Sequence, residues 1–431
     1  MSSPTVSTTL SRIAEQSAHN PDLVFTTLAH HMTVEFLQEA FSRVRPQAAP
    51  GVDGVTWHAY ERNLATNLED LHQRLREGRY SAPPVRRSWL EKENGRRRPL
   101  GIPTLEDKIV QRAVAMLLEA VYEPLFLGFS FGFRPGRSAH QALAYVRTMC
   151  LELHITWIVD ADVSSFFDDL DHGHLRTFLK KKVNDGALLR LIGKWLKAGV
   201  LDQGCLLHPK SGSPQGGVIS PILANIYLHY VLDEWMTTTV QPRLSGRCFV
   251  ARFADDYVVG CAEQLDAERI YAVLPKRFAR FGLTIHPTKS RLLPFGRPDG
   301  KAGTDPGTFD FLGFTHYWGK TRSGGWTIKR KTRRARVQRA HKAIWAWCRD
   351  HRHWSLPEQY RCLVAKLRGH YAFYGIRGNY KALEVVYEYV EMAWKHWLGR
   401  RTRNGSIPFE KWHRKYRQAF PLPKPRIVHS C

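Results

Sequence analysis

Apolar positions such as Leu23, Phe25, Leu28, Phe36, Leu37 and Phe41 fall roughly one turn apart, which predicts helix through residues 1–45. Ala49-Pro50-Gly51-Val52-Asp53-Gly54 then marks a tight turn, and Thr56 is placed to cap a helix carrying Leu64, Leu68, Leu71 and Leu75. Val85 to Leu90 and Arg96 to Ile102 flank Glu93-Asn94-Gly95 as a β-hairpin. Helical spacing of Ile109, Val110, Ala113, Val114, Leu117, Leu118 and Val121 predicts a buried helix over 106–121, with a second near 145–153. Trp157-Ile158-Val159 and Cys248 to Phe253 have the texture of buried strands, each running into aspartates. Between them lie a helical stretch near 173–198 and a loop-plus-helix over 211–235. Short strands follow Phe281, then a Gly-rich loop at 296–307 and a segment from Phe309 to Tyr317. From Lys329 onward the pattern is helical, with Trp345, Trp347, Trp354, Trp394, Trp397 and Trp412 among basic residues. Pro421, Pro423 and Pro425 predict an extended, flexible end.

Charge sharpens this division. The 431 residues carry a formal +25, which favours a polyanionic partner. Residues 321–431 hold 26 Lys or Arg against 6 Asp or Glu, so +20 of that charge lies in this segment and the first 320 residues are nearly balanced. A balanced body with a basic tail suggests a catalytic or scaffold part followed by one that grips nucleic acid. The seven cysteines form no Cys-x-x-Cys pair, which argues against a zinc ribbon and fits a reducing compartment. No apolar run reaches the ~20 residues of a membrane span, and no signal pattern opens the chain, so the expectation is a cytoplasmic protein.

Two strand ends deliver carboxylates: Asp160-Ala161-Asp162 after Trp157-Ile158-Val159, and Asp255-Asp256 after Arg252-Phe253-Ala254. Carboxylates from separate strands can hold two divalent ions, one activating an attacking hydroxyl and the other steadying a leaving phosphate. Magnesium suits such hard oxygen ligands. An Asp-Asp pair on its own is common on solvated turns, so its neighbours decide the matter.

Those neighbours carry a resemblance to reverse transcriptases. Phe253-Ala254-Asp255-Asp256 resembles the aromatic-Ala-Asp-Asp box, with Phe where Tyr is usual. Asp160 to Asp168 resembles the first palm motif, with Ser164-Ser165 in place of the more usual Lys-Gly. Gly212 to Pro221 resembles the Pro-Gln-Gly motif; Arg98 to Pro103 with Asp107-Lys108 and Gln111-Arg112 resembles the fingers block. Gly282-Leu283-Thr284-Ile285 with Lys289, and Phe311-Leu312-Gly313-Phe314, match later blocks in the right order. The resemblance extends to bacterial group II intron-encoded reverse transcriptase/maturases, of the branch without an endonuclease. Ala49 to Gly54 is similar to their N-terminal fingers extension, Phe133 to Ala142 to their second fingers block, and Leu367 to Gly375 to their maturase region.

The resemblance implies an α+β, right-hand polymerase, with fingers and an antiparallel palm sheet followed by an α-helical thumb/maturase domain. It implies an N-terminal extension at 1–80, fingers at 81–155, palm at 156–318, thumb at 319–405 and a basic tail at 406–431. Asp162, Asp255 and Asp256 become the catalytic residues, holding two Mg2+ ions with the Val163 carbonyl. Asp162 is preferred to Asp160 because the family places the ligand before an apolar residue and an aromatic pair. Phe167 becomes a steric gate against ribonucleotides, and Phe166 core. Lys92, Arg98, Val163, Phe167, Gln215 and Lys289 become the deoxynucleotide contacts. Arg134, Arg330, Arg333, Arg334, Arg336, Arg368, Tyr371 and Tyr374 become contacts to nucleic acid. The implied partners are group II intron RNA, an RNA template with a DNA primer, a DNA target and deoxynucleotides. The implied activity is copying of the intron RNA with assistance to its splicing, nucleoid-associated when the target is DNA. A domesticated reverse transcriptase serving defence or repair, and an RNA-binding splicing cofactor without polymerase activity, are the alternatives.

Overall fold

A computed structural model describes residues 5–91, 97–202, 205–207, 216–298, 306–401 and 405–430. Helices α1 (Val6–His19), α2 (Val34–Ser42), α3 (Trp57–Glu61) and α4 (Leu64–Arg76) precede strands β1 (Val85–Glu91) and β2 (Arg97–Ile102). Then come α5 (Leu105–Tyr122), α6 (Ala139–Glu152), β3 (Trp157–Ser164), α7 (Phe166–Asp169), α8 (His172–Lys180), α9 (Gly186–Lys197), β4 (Val200–Asp202) and β5 (Cys205–Leu207). Helix α10 (Ser220–Leu228) leads to β6 (Cys248–Phe253), β7 (Asp256–Cys261), α11 (Gln264–Ala279), β8 (Thr284–Ile285) and β9 (Arg291–Pro294). Strands β10 (Thr308–Phe311), β11 (Phe314–Lys320) and β12 (Trp326–Thr332) are followed by α12 (Arg334–Asp350), α13 (Leu356–Tyr374) and α14 (Tyr380–Gly399).

The chain divides into two compact units. One comprises Met1–Ser138, Ala161–Val259 and Leu265–Arg291; the other comprises Ala139–Asp160, Gly260–Gln264 and Leu292–Cys431. The first is built around α5, which Thr104 caps by accepting the Asp107 N–H at 3.3 Å. Ile109, Val110, Ala113, Val114, Leu117, Leu118 and Val121 are all buried on it, and α1 and α2 pack against it. The hairpin β1–β2 forms with Glu91 opposite Arg97, and β4 adds in parallel to β1. A second sheet runs β6-β7-β3-β8, with β8 antiparallel to β3.

The other unit has an antiparallel sheet, β10-β11-β12, and the three long helices α12 to α14. Leu363, Leu367, Tyr371, Leu383, Val390, Trp394 and Leu398 form its helical core. Buried Gln359 donates to the carbonyls of His351, Arg352 and Trp354, which close the end of α12, and accepts from Trp394 Nε1 at 2.8 Å.

Several elements differ from expectation. Residues 5–45 hold two α-helices and a short 3-10 turn, Ala29–His31, rather than a continuous helix, because Pro21 stops α1 and Phe25 instead bridges to Val183. Thr56 does cap, but it caps the five-residue α3, and the leucine-bearing helix starts separately at Leu64. The stretch 173–198 splits at Asp185, whose carboxylate accepts the N–H groups of Leu28, Ala29, Ala187 and Leu188. Helix begins only at Arg334, since Trp326–Thr332 pairs with β11. The proline-rich end is pinned rather than flexible: Tyr360 and Tyr371 hydroxyls donate to Pro421 and Pro423 carbonyls, and His429 bridges to Ile376.

Candidate functional site

Asp162 lies on β3 with its backbone satisfied on both sides. Its N–H donates to Ser290 Oγ at 3.1 Å, and its carbonyl accepts from His286 N at 2.7 Å. Pairing of Val163 with Ile285 fixes the register. With the main chain committed, the half-exposed carboxylate is left to the surroundings, where Lys289 Nζ sits 2.8 Å from Oδ2. Next to β3 in the sheet is β7, which opens on Asp256. Ala254 and Asp255 are the only residues between β6 and β7, so the two strands form an antiparallel hairpin whose tip carries the Asp-Asp pair. Ala254 takes φ +57, the left-handed conformation that such a tight turn requires.

A buried polar network stands behind this turn. Arg252 and Asp233 are each fully buried and joined by paired hydrogen bonds, Nε to Oδ1 at 2.7 Å and Nη2 to Oδ2 at 2.5 Å. The remaining nitrogen, Nη1, donates to Asn225 Oδ1 at 3.0 Å and to the Ala254 carbonyl at 3.1 Å. Asn225 in turn donates to the Gly132 carbonyl at 2.7 Å. Gly132 approaches the turn so closely that a Cβ there would lie 2.2 Å from Ala254 N. Asp233 reaches this position from a π-helical turn, His229–Asp233, that continues α10. Sequence reasoning did not select Arg252, Asp233, Asn225 or Gly132. The available signal was a single Arg inside an otherwise apolar strand, which demands a buried carboxylate partner.

The structure also joins several of the sequence blocks to one another. Gly216, at φ +111, lies against the Gly101 carbonyl, where a Cβ would come within 2.7 Å. Gln111 on α5 accepts the N–H of Val218 at 2.8 Å, tying the fingers block to the end of the Pro-Gln-Gly block. The Ala49–Gly54 turn is held by β1 and the start of α5: Arg86 donates to the Pro50 carbonyl, Lys108 to the Ala49 carbonyl, and Gly51 packs on Thr104.

Phe166 is buried and Phe167 half-buried, their rings edge-to-face at 5.2 Å. Lys289 meets Asp162 directly. Lys92, Gln215 and the side chain of Arg98 lie outside the described residues.

Among the expected nucleic-acid contacts, three are corrected by their burial. Arg134 is 7% exposed, with Nε and Nη2 on the Glu123 carboxylate and Nη1 on the Leu127 and Ser130 carbonyls. Arg330 is buried on β12 opposite His316, and Tyr371 is buried with its hydroxyl on Pro423. Burial pushes the His316 imidazole down to about 3, which keeps it neutral beside that arginine. Arg334 and Arg368 are exposed; Arg333 is exposed and ion-paired with Asp310 at 3.1 Å. Arg336 and Tyr374 are half-buried, both against Gly313 of the Phe311–Phe314 block.

Asp162, Asp255 and Asp256 offer hard oxygen donors, and the ammonium on Asp162 shows that a cation can reach that carboxylate. Among the described residues, no three His, Cys, Asp or Glu side chains form a group able to hold a metal by themselves. A magnesium ion here would therefore complete its shell from main-chain carbonyls, water and substrate phosphates, the coordination it favours. The donor chemistry fits such an open site.

A family model described as Reverse transcriptase (RNA-dependent DNA polymerase) matches residues 90–316. Protein YkfC of Escherichia coli K12 is 36% identical over 294 residues, covering 60% of this chain and 77% of that protein. The group II intron-encoded protein LtrA of Lactococcus lactis is 38% identical over 230 residues, covering 53% of this chain and 38% of its own length. A protein in the cob intron of Schizosaccharomyces pombe is 41% identical over 169 residues, 39% of this chain and 21% of that protein. The chain thus spans well under half the length of these two intron proteins. No helix among the described residues is long and apolar enough to cross a membrane.

Proposed function

Because the chain belongs to the reverse transcriptase (RNA-dependent DNA polymerase) family, we propose that its β3 and β6–β7 carboxylates carry DNA synthesis on an RNA template. The observation that carries this reading is the strand order: β7, headed by Asp256 and the Ala254-Asp255 turn, neighbours β3 with Asp162.

In the reaction the primer 3′-hydroxyl attacks the α-phosphorus of a deoxynucleotide and pyrophosphate leaves. Two bound Mg2+ ions would lower the pKa of that hydroxyl and neutralise charge on the leaving group. Asp162, Asp255 and Asp256, with the Val163 carbonyl, would hold them. Phe167, braced by Phe166, would fill the space of a ribose 2′-hydroxyl and so select deoxynucleotides. Lys289, together with Lys92 and Arg98, would supply positive charge for the triphosphate, and Gln215 would contact the incoming nucleotide. The helices α12 to α14 act as the thumb and as the maturase region, with Arg333, Arg334, Arg336, Arg368 and Tyr374 toward RNA phosphates and bases. Relatives named as intron-encoded proteins support group II intron RNA as the template and partner, with assistance to splicing and copying into a DNA target.

The test is primer extension by the purified chain on poly(rA) with oligo(dT), thymidine triphosphate and Mg2+. Extension that stops on chelation and returns with Mg2+ is expected, together with enrichment of group II intron RNA among co-purifying RNAs. No extension over a magnesium titration contradicts the reading.

A further inference from the structure

Phe133 and Arg134 have exchanged the positions their chemistry suggests. The guanidinium of Arg134 is turned inward, while the Phe133 ring is 53% exposed. Phe133 also takes φ +57, which for a bulky aromatic is a genuine outlier rather than a tolerated turn conformation.

This conformation is imposed from both sides by bonds that Phe133 does not make. Upstream, Phe131 N donates to the Arg252 carbonyl at 2.8 Å, Arg252 N donates to the Phe129 carbonyl at 2.9 Å, and Asn225 holds the Gly132 carbonyl. Downstream, Arg134 is locked onto Glu123, Leu127 and Ser130. A side chain needed for packing would be buried by such restraints; this one is held out in solvent. Backbone strain of this kind persists where the surrounding structure over-determines it, and it concentrates where ligands are gripped.

Its location narrows the ligand. Gly132 abuts the backbone of the Ala254-Asp255 turn, and the Phe133 ring lies 6.5 Å from that of Phe253, tilted by 42°. An exposed aromatic face beside a turn of carboxylates does not attract phosphate, but it does offer a stacking surface to a base, whatever its identity. We infer that Phe133 is a nucleobase-stacking residue of the polymerase site, holding a base of the template–primer beside the Asp255 turn. This rests on the polymerase reading above.

The experiment compares Phe133→Ala, Phe133→Trp and Phe133→Gly with the wild-type chain. A fluorescent DNA primer annealed to an RNA template reports affinity without added nucleotide, and steady-state extension reports KM and kcat for the nucleotide. Phe133→Ala should weaken template–primer binding about ten- to a hundredfold, and Phe133→Trp should keep it within about twofold. Phe133→Gly should bind as poorly as the alanine variant yet melt at a higher temperature, because glycine relieves the left-handed strain. A rise in nucleotide KM with unchanged template–primer affinity would move the stacked base to the incoming nucleotide and overturn the template–primer assignment. Unchanged affinity and KM in Phe133→Ala, or a lower melting temperature in Phe133→Gly, would overturn the stacking role. Failure of the wild-type chain to extend any primer would instead sink the polymerase reading, so the two are separable.

Discussion

Ser165 stands where the similar family usually has glycine, and it takes φ +44 at the start of α7, directly before Phe166 and Phe167. A left-handed residue with a Cβ costs about 1 kcal/mol relative to glycine. Ser165→Gly should therefore raise the unfolding free energy by about 1 kcal/mol in urea titration; a loss of stability would show that the hydroxyl is needed there. The sequence displayed this departure, but its meaning depended on a backbone dihedral that no spacing pattern reveals. The same holds for Arg134, whose surroundings in the chain suggest a phosphate contact and whose partner, Glu123, is the residue that closes α5. For Phe166 and Phe167 the resemblance alone had separated a core ring from a gate, and the structure buries Phe166 while leaving Phe167 half-buried because the left-handed Ser165 breaks the alternation of β3.

At the scale of elements, long periodic helices were legible and their ends were not. Helix α5 was read to within a residue because its apolar positions exclude any other packing, whereas the break at Asp185 depends on the N–H groups of Leu28 and Ala29, which a distant segment supplies. The hydrogen-bonded links between α5, α9 and the start of the hairpin were invisible for the same reason. Asp107 on α5 accepts from the Tyr80 hydroxyl and, at 3.1 Å, from Trp195 Nε1 on α9, while its Oδ2 has no hydrogen-bond partner. Burial pushes its carboxyl up to about 6 from an ordinary 3.8. A raised folded-state pKa gives stability that is present below about pH 4 and lost as pH rises through about 6. Relative to wild type, Asp107→Asn should therefore gain stability across pH 4 to 6, by on the order of 3 kcal/mol, and level off above. Parallel stability–pH curves for the two proteins would place the titration elsewhere.

Across the whole molecule, +20 of the charge lies beyond residue 320, in a segment that belongs to the second compact unit and whose aromatic residues largely build that unit's helical core. Removing everything from Lys329 would also remove part of β12 and the helical core, so its effect would be unfolding as much as lost charge. The cleaner probe neutralises exposed cations: Arg334→Gln with Arg368→Gln should flatten the dependence of log affinity on log salt by about 1.4 for single-stranded RNA. An unaltered slope would put the RNA elsewhere. The central claim, that carboxylates from β3 and from the β6–β7 turn act as one catalytic unit, is tested most directly by primer-extension rates of Asp162→Asn, Asp255→Asn and the double variant. Each single change is predicted to cost at least ~10³-fold, with the double variant no slower than the worse of the two. Near-normal extension by either single variant, or losses that multiply in the double, would contradict the account.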